Sequence, residues 1–268
     1  MNINDHIHHG AGDLISHKDG IVPLLILSLS FLLLVVMYIF AANLSSRRYK
    51  QWPLHRTVLW SLGVMCAAAA LIGPLANHAQ MDFTDHMISH LLLGMLAPLL
   101  MVLAAPMTLT MLTLNVRAAR RLSRLLRSRP VSILSNPIVA SLLNIGGLWL
   151  LYKTDLYMAM QQNILLHVLV HIHIFLAGYL FTASLIYVDP TPHQSSFVYR
   201  AIVFVIALAG HGILSKSIYA YPPVGVPINQ AEAGGMLMYY GGDAIDLVII
   251  FILCFQWYKF TYPREFSH

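Results

Sequence analysis

Charge is what this sequence most lacks. Only 10% of its 268 residues are Asp, Glu, Lys or Arg, where a soluble domain carries about a quarter. So little charge excludes intrinsic disorder, a charged coiled coil and a basic nucleic-acid arm. Cysteine is nearly absent as well. Cys66 and Cys254 lie far apart and form no CxxC pair, so a thiolate metal site, a dithiol redox site and a disulfide framework all lose their basis. There is no CxxCH for covalent haem, no HExxH for a zinc protease and no phosphate-cradling glycine loop. With no Ser-His-Asp constellation in view either, an enzyme is not expected. The segment before the first apolar run has no basic n-region but three aspartates, Asp5, Asp13 and Asp19. It does not read as a signal peptide, and the first apolar run is expected to be retained.

Apolar residues make up 58% of the chain, and mean hydropathy is +0.68. The expected class is all-α: a polytopic integral membrane protein with a seven-transmembrane-helix bundle. The predicted spans are roughly 21–42, 57–75, 86–107, 137–152, 163–187, 200–217 and 237–258, since about 20 residues cross the hydrocarbon core. The organisation is then a His-rich external tail at 1–20, one membrane domain at 21–258 and a short cytoplasmic tail at 259–268. Span 137–152 is the shortest and carries Asn144, Gly146 and Gly147. In the third span Pro98 should kink the helix by removing a backbone bond and crowding the preceding turn.

Orientation follows from lysine and arginine. Arg47, Arg48, Lys50 and Arg56 sit in the first loop, and Arg117, Arg120, Arg121, Arg124, Arg127 and Arg129 in the third. Adding Arg200, Lys259 and Arg264 leaves only Lys18, Lys153 and Lys216 for the opposite side. This places the N-terminus outside and the C-terminus in the cytoplasm. The arginine run, interleaved with Leu122, Leu125 and Leu126, reads as a topology anchor at the lipid surface, with no nucleic-acid partner.

Histidine is the residue in excess: 14 against 11 carboxylates. Unpartnered histidine is costly in lipid. His86 and His90 stand at i, i+4 on one face of the third span, and His167 and His171 do the same on the fifth. Counting about 1.5 Å per residue brings His90, His167, His171, His211 and Asp243 to one level, roughly 5–12 Å below the outer surface. Paired imidazoles with a carboxylate suit copper, zinc or iron. Met81, Met87, Met236 and Met238 approach the same mouth, and thioethers favour cuprous copper. The expected metal set is His86, His90, His167, His171, His211, Asp243, Met236 and Met238. His6, His8, His9 and His17 of the tail form an outer capture site in this reading. His173 follows His171 by two positions, points about 200° away on the helix and reads as structural. Asp246, one turn from Asp243, either orients a ligand histidine or relays protons. An alternative stays open: His90 with His167 or His211 has the residue types for axial ligation of haem b, giving a membrane cytochrome.

The stretch His86-Met87-Ile88-Ser89-His90-Leu91-Leu92, followed by Ala97-Pro98 and Pro106, resembles the signature of the seven-helix CtaG-like cytochrome c oxidase assembly factors. His167 to His171 with Phe175, Gly178 and Phe181 is similar to that family's second histidine motif, and Ala233-Gly234-Gly235-Met236-Leu237-Met238 with Gly242-Asp243 to its last-helix motif. Where that motif has an Asp-Gln pair, this chain reads Gln230-Ala231-Glu232. The resemblance covers residues of about 50 to 258 and implies a role in building an aa3- or caa3-type terminal oxidase by binding and delivering copper at the outer face of the bacterial inner membrane. Its implied partners are oxidase subunits or periplasmic copper carriers.

Overall fold

Apolar runs of this length close their backbone hydrogen bonds within helices, because lipid offers none. A computed structural model describes residues 10–261, with side chains from residue 24. Among the described residues there is no strand. Helix α1 (Gly10–Arg48) is followed by α2 (Leu54–Leu71) and the short α3 (Pro74–His78). Next come α4 (Phe83–Leu91), a π-helical turn (Leu92–Leu96) and α5 (Ala97–Leu103), which form one continuous rod. Helices α6 (Pro106–Thr113), α7 (Val116–Leu126) and α8 (Arg129–Leu134) make up the arginine-rich connection. A second rod joins α9 (Pro137–Ser141), a π-turn (Leu142–Gly146) and α10 (Gly147–Lys153). The chain ends in α11 (Leu156–Gln162), α12 (Ile164–Leu185), α13 (Phe197–Ala220) and α14 (Ile228–Thr261).

Among the described residues, six helical stretches are long and apolar enough to cross a membrane: Leu24–Arg48, Leu54–His78, Phe83–Leu103, Ile164–Leu185, Phe197–Ala220 and Ile228–Thr261. Pro137–Lys153, the expected fourth span, is a shorter apolar helix. The α4–α5 rod is the centre of the bundle, since 67% of its apolar window is buried against 6% for the first helix. Leu32, Leu33, Met37 and Phe40 of α1 are exposed, as expected of a lipid-facing outer helix.

Close contacts give the helix directions. Gly234 lies against Phe83 and Met87, and Gly241 against Leu91, so α14 runs parallel to α4. Gly94 touches Ile174, and Gly178 abuts Gly94 and Pro98, so α12 is parallel to α4–α5 too. Gly242 meets His211 while Gly235 meets Ser215 and Tyr219, which makes α13 antiparallel to α14. The α9–α10 rod runs alongside α13 in the same direction. Tyr199 donates to Asn136 Oδ1 at one end (3.1 Å), Trp149 Nε1 donates to the Gly210 carbonyl (3.2 Å), and Lys153 Nζ reaches the Ser217 carbonyl (3.0 Å) at the other.

At Pro98 the rod carries a π-turn just ahead of the proline. Its missing N–H leaves the Gly94 carbonyl without its usual i+4 donor, and the wider turn over Leu92–Leu96 absorbs the mismatch. Gly178 packs directly on that carbonyl, so closely that an added Cβ would stand 2.0 Å from the oxygen.

Of the boundaries that differ from expectation, two have a clear local cause. The third span stops at Leu103, not 107, because Ala105 takes a left-handed conformation (φ 55°) and Pro106 opens α6. Asp189 caps that new helix, accepting from Met107 N (3.1 Å), Thr108 N (2.7 Å) and Thr108 Oγ1 (2.6 Å). The last helix begins at Ile228 rather than 237. Gly234 and Gly235 lower helix propensity, but here they let α14 lie against Phe83 and the Ser215 carbonyl, and packing prevails.

Candidate histidine site

Asp82 starts the site. Its carboxylate accepts from Thr84 N and Asp85 N, which caps α4 and sets the helical phase of His86 and His90. Asn163 does the same for α12 by accepting from Leu165 N and Leu166 N, and so fixes His167 and His171. The two capped helices run side by side and carry their histidine pairs toward each other.

Three of these rings meet near the mouth. The His167 and His171 rings stack with centroids 4.2 Å apart, and His171 meets His86 edge-on at 6.4 Å. His86, Ser89, His167 and His171 line one cavity of about 50 Å³ together with Gln80 and four small or apolar residues of the α2–α3 region. His86 is buried, whereas His167 and His171 are half-buried. His171 Nδ1 lies 2.8 Å from the His167 carbonyl. A carbonyl only accepts, so Nδ1 carries the proton and Nε2 keeps a free lone pair. His86 Nε2 is 3.1 Å from the Tyr152 hydroxyl, the kind of outer contact that orients a ligand ring. Phe83, Tyr152 and Tyr157 enclose His86. Burial raises the Tyr157 phenol above its ordinary pKa, Gln161 donating to its oxygen at 3.0 Å works against this, and the Asp82 charge adds to the rise. Tyr157 therefore stays neutral at working pH.

The other expected ligands stand deeper. His90, His211 and Asp246 line a second cavity of about 10 Å³, closed by Met95, Asn144, Leu148 and Phe181 among others. All three side chains are buried, each about 4% exposed. Both ring nitrogens of His90, Nε2 of His211 and Oδ1 of Asp246 have no hydrogen-bond partner. His90 is within electrostatic reach of both His171 and His211. Among the described residues, no three His, Cys, Asp or Glu side chains lie close enough to hold one ion as they stand.

The single level expected from residue counting thus separates into two stations. Counting gives height along each helix but not the direction a side chain faces. Asp243 is half-buried beside His211, while Asp246, one turn on, lines the deeper cavity. The methionines do not gather. Met238 packs in the apolar core with Phe83, Met87 and Leu214. Met236, about 200° around the helix from it, lines a surface groove with Lys216, Tyr219, Tyr239 and Tyr240. Met81 is 89% exposed. His173 has the structural role expected of it, bonding the Leu143 carbonyl at 3.1 Å in the second π-turn. His6, His8 and His9 lie outside the described residues, as does the side chain of His17. Sequence reasoning missed Tyr152, which reads as an ordinary aromatic in an apolar run, and the unpartnered Ser89 hydroxyl beside the outer rings. It took Asn144 only as a weakness in the fourth span.

Comparison with known proteins bears on these residues directly. The family model for the cytochrome c oxidase caa3 assembly factors matches residues 36–259, a stretch holding every histidine of both stations. Proteins of Mycobacterium bovis and Mycobacterium tuberculosis described as uncharacterized are 28% identical over 234 residues, 79% of this chain and 35% of theirs. A Mycobacterium leprae protein, described in the same way, is 25% identical over 227 residues, 77% of this chain and 34% of its own. This chain spans about a third of the length of these curated relatives. No solved structure matches.

Proposed function

The chain belongs to the cytochrome c oxidase caa3 assembly factors, and from that premise we propose that it binds copper at the outer face of a bacterial inner membrane and delivers it to a terminal oxidase under construction. The reading rests on one observation above the rest. His86, His167 and His171 bring three imidazoles from two parallel helices to one cavity. Neutral imidazole suits copper, and the proton on His171 Nδ1 leaves Nε2 aimed at a ligand role. Tyr152 holds His86 from behind. Delivery is ligand exchange: the ion leaves one set of nitrogens as the acceptor supplies another. No bond of a substrate is made or broken, so the role is not catalytic.

The seven-span topology belongs to the same proposal. Parallel α4 and α12 require an odd number of crossings between them, and Pro137–Lys153 is the apolar helix there able to supply the one needed. Its 17 residues span about 25 Å at ~1.5 Å each, and its contacts run from Tyr199 to Ser217 of α13. Lys153, at its end, extends its side chain toward the surface. With the arginine-rich α7 inside, the N-terminus and both histidine mouths face out.

Haem b finds less support. Ligand pockets for drug-sized molecules run ~300–1,000 Å³, whereas the cavity between His90 and His211 is about 10 Å³.

The test is metal content. Protein purified in mild detergent from copper-supplemented cells should carry copper, and His86→Ala and His167→Ala should carry less of it. Equal copper in all three refutes the site. An oxidase purified from cells without this chain should lack copper while keeping its subunits.

A further inference from the structure

Four helices bring polar side chains into the deeper cavity, where the surroundings are otherwise apolar. His90 comes from α4, Asn144 from the second π-turn, His211 from α13 and Asp246 from α14. A buried polar atom without a partner gives up its hydration for nothing, and four such atoms share this one spot. Native structures seldom leave such atoms unsatisfied unless an ion, a water or a function accounts for them. Both π-turns border the cavity, through Met95 in one and Asn144 and Ile145 in the other, and π-turns concentrate at functional sites. Gly242 leaves room for the His211 ring, since a Cβ there would stand 2.5 Å from Cε1. Gly94 does the same for His90 at 3.3 Å.

We propose that His90, His211 and Asp246 form a second, separate station for a single cuprous ion, filled from the outer station through His90. Charge selects the oxidation state. Two neutral imidazoles and one carboxylate around a monovalent ion sum to zero, the condition under which a cation is tolerated in low dielectric. A divalent ion would need a second carboxylate, and Asp243, though beside His211, does not line the cavity. Cuprous ion is content with two or three ligands and imposes little geometry, and the two rings and the carboxylate must draw together to hold it, since among the described residues no three such side chains stand within reach of one ion as they are. Asn144 offers a neutral polar contact. The cavity has room for about one water-sized occupant. His90 lies one helical turn below His86 and within reach of His171 and His211, so it can exchange an ion with either side.

This inference rests on the copper reading above, and its test separates the two. The full chain in detergent is titrated anaerobically with Cu(I) against a chromogenic cuprous chelator. The wild type should bind two ions. His211→Gln should bind one, and the double variant His167→Ala/His171→Ala should bind one. Asp246→Asn keeps the side-chain shape and removes the counter-charge, so it should weaken the deeper ion at least about tenfold even where His211 variants fold poorly. X-ray absorption of the double variant with one equivalent should show two imidazoles and no sulfur. A wild type that binds one ion, abolished by the double variant and unaffected in His211→Gln and Asp246→Asn, overturns the second station and leaves the first. A wild type that binds none overturns both. A water alone in the cavity predicts the former pattern.

Discussion

Gly178 is where α12, carrying His167 and His171, touches the central rod. Changing it to alanine adds one methyl group aimed at the Gly94 carbonyl. That Cβ would stand 2.0 Å from the oxygen, 3.0 Å from its carbon and 3.3 Å from Pro98 Cγ. Cβ contacts below 3.0 Å essentially never occur, so the helices must part by at least about 1 Å. The oxygen belongs to the backbone and cannot rotate away. A gap of ~0.5–1 Å forfeits a quarter to a half of each dispersion contact across it, and overpacking of this kind costs about 1–3 kcal/mol. Gly146 is the control. It sits in the second π-turn with nothing within 4 Å of an added Cβ, so its alanine variant gains up to about 1 kcal/mol of helix propensity. The two variants should therefore differ by about 2–4 kcal/mol. At ~2–4 °C per kcal/mol for chains near this size, that is a melting gap of about 4–16 °C. The assay is thermal unfolding in one detergent at one fixed scan rate, because such unfolding is commonly irreversible. Gly178→Ala melting within about 1 °C of Gly146→Ala would show that the helix approach is looser than argued.

Other changes probe the site and its supports. Tyr152→Phe removes the 3.1 Å contact to His86 Nε2; outer ligand-orienting bonds of this kind are worth about 10–100-fold in metal affinity, which a cuprous chelator competition reads, and unchanged affinity would exclude an orienting role. Asp189→Ala strips three hydrogen bonds from the start of α6 and should cost about 1–2 kcal/mol, as a lost cap does, visible as a lower melting temperature with copper binding intact. Topology is open to thiol labelling once Cys66 and Cys254 are replaced. Met81→Cys, at an 89% exposed position, should react with an impermeant reagent from outside, and Leu125→Cys, 60% exposed on α7, only after permeabilisation; labelling of both from one side refutes the orientation.

Much of this arrangement can be read from the linear sequence. Hydropathy locates the long helices. The i, i+4 spacing puts His86 with His90 and His167 with His171. What residue spacing cannot give is the azimuth of one helix against its neighbour. That is set by close approaches at Gly94, Gly178, Gly234 and Gly242, which a sequence shows only as small residues of unknown partner. Turning α4 by one helical step, from His86 to His90, changes the neighbour from His171 to His211, and one expected site becomes two. The same limit explains the methionines: Met236 and Met238 are two residues apart in the chain but face a surface groove and the core respectively. Pro98 carries the point furthest. Read alone it predicts a kink. In the folded chain it frees a carbonyl that only a glycine on α12 can approach, so one backbone defect both accompanies the π-turn of the central rod and seats the helix that brings His167 and His171 to His86. Helix packing and ligand placement here depend on the same atoms, which is why a methyl group at Gly178, about 10 Å of helix away from His171, should disturb both the melting temperature and the outer histidines.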